Sequence, residues 1–259
     1  MNVNSLIRAG EQTEFISLDL VEARPDDLLV LGPGTERLVV ILSGRARVVL
    51  DGQDHGVAGG RAGVFEGAGD AVYVPPAASV EMVPVVEGDA AALSLAVVAA
   101  PAGSQEPGTA RVITAAAQVE TVVGRDNWSR TVRNILGPAD QASRLIVGET
   151  VHNGPGTWSS FPPHRHDRES ADEAQLEEVY YYRLHPANGF AMQARYDIDG
   201  GREDLWMARD GDAAAITSGF HPLVAAPGHD LYYLWILAGE QRAMRVYLDP
   251  RYRWLNEQP

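Results

Sequence analysis

The sequence predicts an all-β protein that is built from two small barrels. Short apolar runs closed by glycine, proline, aspartate or asparagine recur along the chain, which is typical of strands separated by tight turns. Before residue 110 no segment keeps the apolar period of an amphipathic helix. The strand pattern then repeats in a second half of similar length, and such halves favour an antiparallel sandwich or barrel.

The first half contains five predicted strands in apolar segments that end at turn residues. They are RLVVILSG (37–44), RARVVLDG (45–52), DAVYVPP (70–76), SVEMVPVV (79–86) and ALSLAVVAA (92–100). We interpret the first two as a hairpin. Proline, glycine and serine then cluster over residues 101–111, which predicts a linker. We therefore place the N-terminal barrel at residues 1–110 and the C-terminal barrel at 111–259.

The second half repeats the pattern in six strand-like segments. They are RLIVGETVH (144–152), EEVYYYRLH (177–185), FAMQARYDI (190–198), DLWMARDG (204–211), AAAITSG (213–219) and DLYYLWILAG (230–239). The polar segment SADEAQLEE (170–178) predicts a loop that leads into the following strand.

Composition and charge exclude several classes of function. The chain has 259 residues and a formal net charge of −14, which argues against nucleic acid or an anionic membrane as a partner. Cysteine is absent and all 21 basic residues are arginine. Thiolate chemistry, Schiff bases and the lysine of a phosphate-binding loop are therefore excluded.

Neither the N-terminus nor the apolar runs indicate targeting to a membrane. The first residues lack a basic segment followed by an apolar core, and the apolar runs are too short and too interrupted to cross a bilayer. We expect a cytoplasmic protein that acts on a small molecule.

Six of the seven histidines lie in the second half. His164 and His166 are one residue apart, so on an extended strand both side chains point to the same face. By themselves they fit a polar strand end as well as a metal site. On the strand EEVYYYRLH, alternation places Glu178, Tyr180 and Tyr182 on one face. A carboxylate buried beside two tyrosines needs a partner, which a metal held by the two histidines would supply.

His221 follows a short strand and a glycine turn, in the segment TSGFHP, and is a candidate third imidazole. Three imidazoles and one carboxylate suit Zn, Mn, Fe or Ni, and the donor set alone does not choose among them.

The order His-x-His, strand Glu and later His resembles the metal motif of the cupins, which are jelly-roll (double-stranded β-helix) barrels. Eleven residues separate His166 from Glu178, a longer gap than cupins usually have. The spacing in SGFHP is one residue shorter than usual. With these departures, the segments GTWSSFPPHRHD, LEEVYYYRLHPANGFAMQ, YYLWILAG, GGRAGVFEGAGDAVYVPP and SRTVRNIL resemble the 5-deoxy-glucuronate isomerases of myo-inositol catabolism.

The resemblance covers nearly the whole chain and implies an all-β bicupin. It implies a metal-dependent aldose–ketose isomerase that converts 5-deoxy-D-glucuronate to 5-dehydro-2-deoxy-D-gluconate. The metal ligands would be His164, His166, Glu178 and His221, holding one divalent ion, with zinc favoured and Mn, Fe or Ni possible. The first barrel, which carries only His55, is expected to have no metal site. A homo-oligomer is allowed, and the oligomeric state stays open.

Several further residues are candidates for the substrate site. Tyr180, Tyr182 and Gln193 are candidate catalytic residues, because both tyrosines share the predicted face of Glu178 and an amide can contact a sugar hydroxyl. The carboxylate of a uronate needs a cation or a cluster of donors, for which Arg183, Arg195 and Arg242 are the candidates. Arg195 stands one position away from where the family pattern expects an arginine. On a strand this shift moves the side chain to the other face.

Three alternatives remain open at this stage. The first is the related 4-deoxy-5-keto-uronate isomerase, which shares the bicupin plan. The second is another enzyme on the same fold, such as an iron oxygenase. The third is a non-catalytic cupin that binds a sugar.

Overall fold

The chain folds into two compact units that consist almost entirely of β-strands. This computed structural model describes residues 1–85 and 93–257. The first unit comprises Met1–Val119 and Ile135–Ile146, and the second comprises Glu120–Asn134 and Val147–Pro259. The all-β class predicted from the sequence is confirmed, whereas the domain boundary between residues 110 and 111 stays a prediction.

The first part of the chain contributes ten strands among the described residues. They are β1 (Asn2–Ile7), β2 (Ser17–Ala23), β3 (Leu29–Leu31), β4 (Glu36–Ser43), β5 (Arg45–Leu50), β6 (Gln53–Gly59), β7 (Ala71–Val74), β8 (Val80–Pro84), β9 (Leu93–Ala100) and β10 (Arg111–Ile113). They form a six-stranded sheet in the order β1-β2-β9-β4-β7-β10 and a four-stranded sheet in the order β3-β8-β5-β6. Val39, Val72, Val48 and Met82 come from both sheets and share one buried core, so the unit is a β sandwich.

The predicted hairpin between residues 37–44 and 45–52 is wrong. β4 pairs with β7 and β9, whereas β5 pairs with β6 and β8 in the other sheet. Gly44, at φ 85°, lies at the corner where the chain passes from one sheet to the other. The hairpin instead joins β5 to β6, where Asp51 and Gly52 both have positive φ. This is the backbone that a two-residue hairpin turn requires.

The second part of the chain contributes twelve strands and three short helices among the described residues. The strands are β11 (Val119–Val123), β12 (Arg130–Leu136), β13 (Ile146–His152), β14 (Trp158–Ser159), β15 (His164–Arg165), β16 (Glu177–His185), β17 (Ala191–Tyr196), β18 (Glu203–Ala208), β19 (Ala213–Ile216), β20 (Leu223–Ala225), β21 (Asp230–Ala238) and β22 (Tyr247–Leu248). Two 3₁₀ turns (Ala115–Ala117 and Asp126–Trp128) and one helix, α1 (Trp254–Glu257), complete the list.

The second unit repeats the two-sheet plan around β16. Its larger sheet has the order β11-β12-β13-β21-β16-β19, and its smaller sheet has the order β14-β20-β17-β18. β15 and β22 form a separate two-stranded ribbon. β16 pairs along its whole length with β21 and is almost entirely buried, so its two faces both lie against packed side chains.

The predicted strand segments coincide with β4, β5, β7, β8, β9, β13, β16, β17, β18, β19 and β21. Val86 and Ala92, which end two of these predicted segments, lie outside the described residues. Of the predicted loop 170–178, residues 170–176 are irregular, whereas Glu177 and Glu178 already belong to β16. In the described part of the chain, no helix has the length and apolar character needed to cross a membrane.

Candidate active site

Three histidines of the second unit converge on one point. His164 lies on β15, His166 follows it directly, and His221 lies in the turn after β19. One ring nitrogen from each comes within 4.8 Å of the others, a spacing at which they can hold a metal ion. The sequence prediction that these three side chains meet is thus reproduced in the structure, while their role as ligands stays a prediction.

The loop that follows His166 returns to it before β16 begins. The Leu176 N–H donates to the His166 carbonyl at 2.7 Å, and His166 Nδ1 donates to the Leu176 carbonyl at 3.0 Å. Within the loop, the buried Glu173 accepts the N–H groups of Asp167 and Arg168 and the guanidinium of Arg165. The long insertion therefore closes on itself, and β16 starts where Glu178 reaches the histidines.

Local backbone geometry fixes the position of His221. Gly219 has φ 86°, and a Cβ atom there would lie 3.1 Å from the Tyr196 carbonyl oxygen, so this turn requires glycine. The Gly219 N–H donates to Asp167 Oδ2 at 2.6 Å, which ties the turn to the His-x-His segment. His221 Nδ1 donates to the Gly219 carbonyl at 2.9 Å, and its ring is fully buried.

Glu178 completes the cluster. Its Oε2 lies 3.1 Å from Nε2 of both His166 and His221. Burial raises the pKa of this carboxyl, but the two imidazoles outweigh burial, and the net pKa lies below its ordinary value. Glu178 is therefore an anion that is buried among three imidazoles.

The tautomer of His221 leaves a lone pair aimed at this anion. Because a carbonyl oxygen can only accept, Nδ1 of His166 and Nδ1 of His221 must both carry a proton. In a neutral His221 ring Nε2 is then an acceptor, and it faces a Glu178 oxygen, which is also an acceptor. Nε2 of His221 has no hydrogen-bond partner although it is buried. A cation between these atoms removes the conflict, so the four residues fit a divalent metal.

The protonation of His164 differs from that of His166. Burial, followed by the charges of His221 and His166, lowers the pKa of His164 well below its ordinary value, so His164 is neutral and able to ligate a metal. Burial also lowers the pKa of His166, but the hydrogen bond and charge of Glu178 outweigh burial and raise it.

Tyr180 and Tyr182 share the face of Glu178, as strand alternation predicted. The Tyr180 ring lies 6.0 Å from the His221 ring, and its hydroxyl is 2.8 Å from Ser160 Oγ. Burial, with the charge of Glu178 as the next cause, raises the pKa of both hydroxyls well above the ordinary value. Both side chains are therefore neutral hydroxyls that can donate hydrogen bonds.

Gln193 is fully buried behind His221, and its amide is occupied by protein groups. Its Nε2 donates to the carbonyls of His221 at 2.7 Å and Pro222 at 3.2 Å. Its Oε1 accepts the Tyr182 hydroxyl at 3.1 Å. The catalytic roles predicted for Tyr182 and Gln193 stay predictions, but these contacts favour support of the His221 backbone over contact with a substrate.

The three predicted substrate arginines lie in different surroundings. Arg183, on the opposite face of β16 from Glu178 by strand alternation, pairs with Asp210 at 2.8 Å. Arg195 pairs with Asp204 at 2.7 Å across β17 and β18. Arg242 is buried in the segment between β21 and β22. Asp210 and Asp204 therefore already neutralise two of these cations.

Sequence reasoning passed over Arg130 and His152. Both are buried in the second unit, and the nitrogens of His152 lack hydrogen-bond partners. The segment SRTVRNIL was noted for its family resemblance, but nothing in it indicated that Arg130 differs from Arg133. The only available signal was that the two arginines are three residues apart, which on a strand places them on opposite faces.

A protein-family model described as the KduI/IolB family matches residues 6–255 of this chain. The chain belongs to the KduI/IolB family. The 5-deoxy-glucuronate isomerase of Geobacillus kaustophilus is 33% identical over 224 residues, which are 86% of this chain and 78% of that protein. The 5-deoxy-glucuronate isomerase of Listeria monocytogenes is 32% identical and covers 98% of this chain and 92% of its own.

Solved structures agree with this KduI/IolB assignment. An IolB-like protein from Salmonella typhimurium LT2 superposes with a TM-score of 0.90 at 27% identity, covering 98% of this chain and 94% of that chain. An oxalate decarboxylase from Bacillus subtilis gives a TM-score of 0.64 at 12% identity, over 100% of this chain and 80% of that chain, and shows the fold alone. The family resemblance and the bicupin fold predicted from the sequence are confirmed.

Proposed function

We propose that this protein is a 5-deoxy-glucuronate isomerase that depends on one divalent metal ion. The reaction is an intramolecular aldose–ketose isomerisation, from 5-deoxy-D-glucuronate to 5-dehydro-2-deoxy-D-gluconate. The observation that carries the proposal is the convergence of His164, His166, His221 and Glu178. It occurs in a chain that aligns along most of its length with isomerases of that name.

The ligands would be the three imidazoles and the Glu178 carboxylate. Zinc is the metal we favour, because imidazole nitrogens and carboxylate oxygens are ordinary zinc ligands, while Mn, Fe and Ni accept the same donors. Bound there, such a cation would supply a Lewis acid for the substrate carbonyl and the neighbouring hydroxyl.

The protein's own residues prepare this chemistry. The Gly219 and Leu176 carbonyls hold His221 and His166 as the tautomers that offer Nε2 to the centre. Tyr180, a neutral hydroxyl beside His221, is placed to donate a hydrogen bond to a substrate oxygen on which charge develops. Tyr182 and Gln193 act through the His221 backbone and keep its ring in position.

The decisive experiment measures metal content and turnover of 5-deoxy-glucuronate in one preparation. We expect one metal ion per chain and conversion to the 2-keto isomer, with no oxygen uptake and slower turnover of 4-deoxy-5-keto-uronate. His164→Ala is expected to lose both metal and activity, while His55→Ala, which removes an exposed histidine of the first unit, keeps both. Full activity of His164→Ala after chelation, or faster turnover of the other uronate, would contradict the proposal.

A further inference from the structure

Arg130 is a buried cation without a carboxylate partner among the described residues. Its side chain lies at the start of β12, the residue is 8% exposed, and its NH1 donates to the Trp128 carbonyl at 3.1 Å. A buried guanidinium that no anion neutralises is costly, and proteins retain one where a ligand supplies the charge.

Arg133, on the opposite face of the same strand, shows the ordinary arrangement. It pairs with Glu120 at 2.7 Å and with the fully buried Glu149 at 3.2 Å. On β12, therefore, the arginine on one face is neutralised and the arginine on the other face is not. The contrast indicates that the surroundings of Arg130 are specific and are not a general property of this sheet.

His152 stands opposite Arg130 on β13. The Asn153 N–H donates to the Ser129 carbonyl at 3.1 Å, which sets the neighbouring residues Arg130 and His152 across from each other in the antiparallel pair. His152 is 4% exposed, and neither ring nitrogen has a hydrogen-bond partner. Burial lowers the pKa of His152 to about 3, and the charge of Arg130 adds to this effect, so the ring is neutral and retains one N–H to donate.

A continuous row of rings joins this pair to the histidine cluster. The His152 ring packs edge-on against Tyr233, with the ring centres 6.3 Å apart. Tyr233 packs at a tilt against Tyr180 at 4.7 Å, and Tyr180 packs edge-on against His221 at 6.0 Å. Tyr180 and Tyr233 also lie near the buried Arg130. The unneutralised cation therefore lies on the same side of the second unit as the proposed metal centre.

We propose that Arg130 and His152 form the binding site for the substrate carboxylate. The inference rests on the proposed function. A uronate whose carbonyl end lies at the histidine cluster carries its carboxylate at the opposite end of a six-carbon chain, and Arg130 offers two N–H groups to such an anion. His152 would donate the remaining N–H. The pair would thus determine the preference for an acid over a neutral sugar.

The test compares Arg130→Gln and His152→Phe with wild type, using metal-loaded protein. We expect kcat/KM for 5-deoxy-glucuronate to fall by about 10- to 100-fold in Arg130→Gln, mainly through KM, with metal content unchanged. Arg47→Gln removes the same charge from an exposed pair with Asp54 and is expected to retain wild-type kinetics. The neutral amide of the substrate should be a poor substrate for wild type, and Arg130→Gln should lose most of that discrimination.

The thermal stability of the two variants distinguishes a carboxylate-binding role from a structural role. Neither ring nitrogen of His152 has a partner to lose, and Arg130 has no carboxylate to leave behind. Arg130→Gln loses one hydrogen bond to the Trp128 carbonyl, so we expect its thermal midpoint to fall by no more than about 4 °C and that of His152→Phe to stay unchanged. A larger fall in the midpoint with unchanged KM would assign the pair a structural role and overturn the inference. A wild-type KM together with undiminished acid preference would also overturn it.

Failure of the proposed function would be recognised separately. In that case wild type would not convert 5-deoxy-glucuronate, and binding of D-glucuronate would be measured by calorimetry instead. If wild type binds D-glucuronate and Arg130→Gln does not, the carboxylate-binding site is supported even without the isomerase activity. Equal binding by both proteins, or binding by neither, would overturn it.

Discussion

Replacing Gln193 by methionine tests whether the buried amide holds His221 in place. Methionine has a similar volume and an unbranched chain, so the change removes hydrogen bonds with little change in packing. It leaves two buried groups without a partner, the His221 carbonyl and the Tyr182 hydroxyl, whereas the Pro222 carbonyl keeps the Ala194 N–H. Each unsatisfied buried group costs about 1–3 kcal/mol.

The lower end of this range applies because neighbouring groups relax toward the missing partner. Two groups at about 1 kcal/mol each lower the free energy of unfolding by about 2 kcal/mol. For a protein of this size, that corresponds to a fall of about 4–8 °C in the thermal midpoint.

The assay is thermal unfolding of the metal-free protein, followed by metal content and kinetics of the loaded protein. Met192→Gln is the matched control, because Met192 is the preceding residue on β17, points to the other face and is 37% exposed. Its free energy of unfolding should stay within about 0.5 kcal/mol of wild type. If Gln193→Met unfolds within about 2 °C of wild type and retains full kcat, the amide does not support His221 and the reasoning is refuted.

Three further changes test other parts of the structure. Glu178→Gln removes the buried anion between two imidazoles and should abolish stoichiometric metal binding. Metal content is measured by elemental analysis against wild type at equal total metal, and full metal content of the variant would contradict this role. Gly219→Ala places a Cβ against the Tyr196 carbonyl in a residue whose φ is 86°. It should lower the free energy of unfolding in urea by about 1–3 kcal/mol and also lower kcat, and unaltered values would show that the turn accepts a side chain. Glu36→Ala removes the acceptor of three backbone N–H groups and of the Tyr73 hydroxyl in the first unit. It should lower the free energy of unfolding by about 3–5 kcal/mol in the same assay, and a loss below about 1 kcal/mol would contradict this expectation.

Strand alternation explains how much of the candidate site the sequence could predict. His164 and His166, and likewise Glu178, Tyr180 and Tyr182, share faces because side chains alternate with a period of two along an extended chain. This rule is local and needs no partner strand. The glycine before His221 indicates a turn for a similarly local reason, since φ 86° excludes most other residues.

Pairing between strands follows from the tertiary structure, and the sequence pattern predicted it wrongly in one place and did not predict it in another. The segments around Gly44 have the pattern of a hairpin, yet β4 and β5 enter different sheets, because the core is filled only when both sheets contribute apolar faces. Likewise, the eleven residues between His166 and Glu178 do not reveal that Leu176 returns to pair with His166.

The sequence by itself determined the all-β class, the residue types at the proposed metal centre and their parity on each strand. Only the tertiary structure decided which arginine lies near that centre. Arg130 and Arg133 have the same chemistry and share a strand, and what distinguishes them is that Glu149 faces one while His152 faces the other. That difference depends on the register between β12 and β13, which is set by contacts across the sheet and not by the residues of either strand alone.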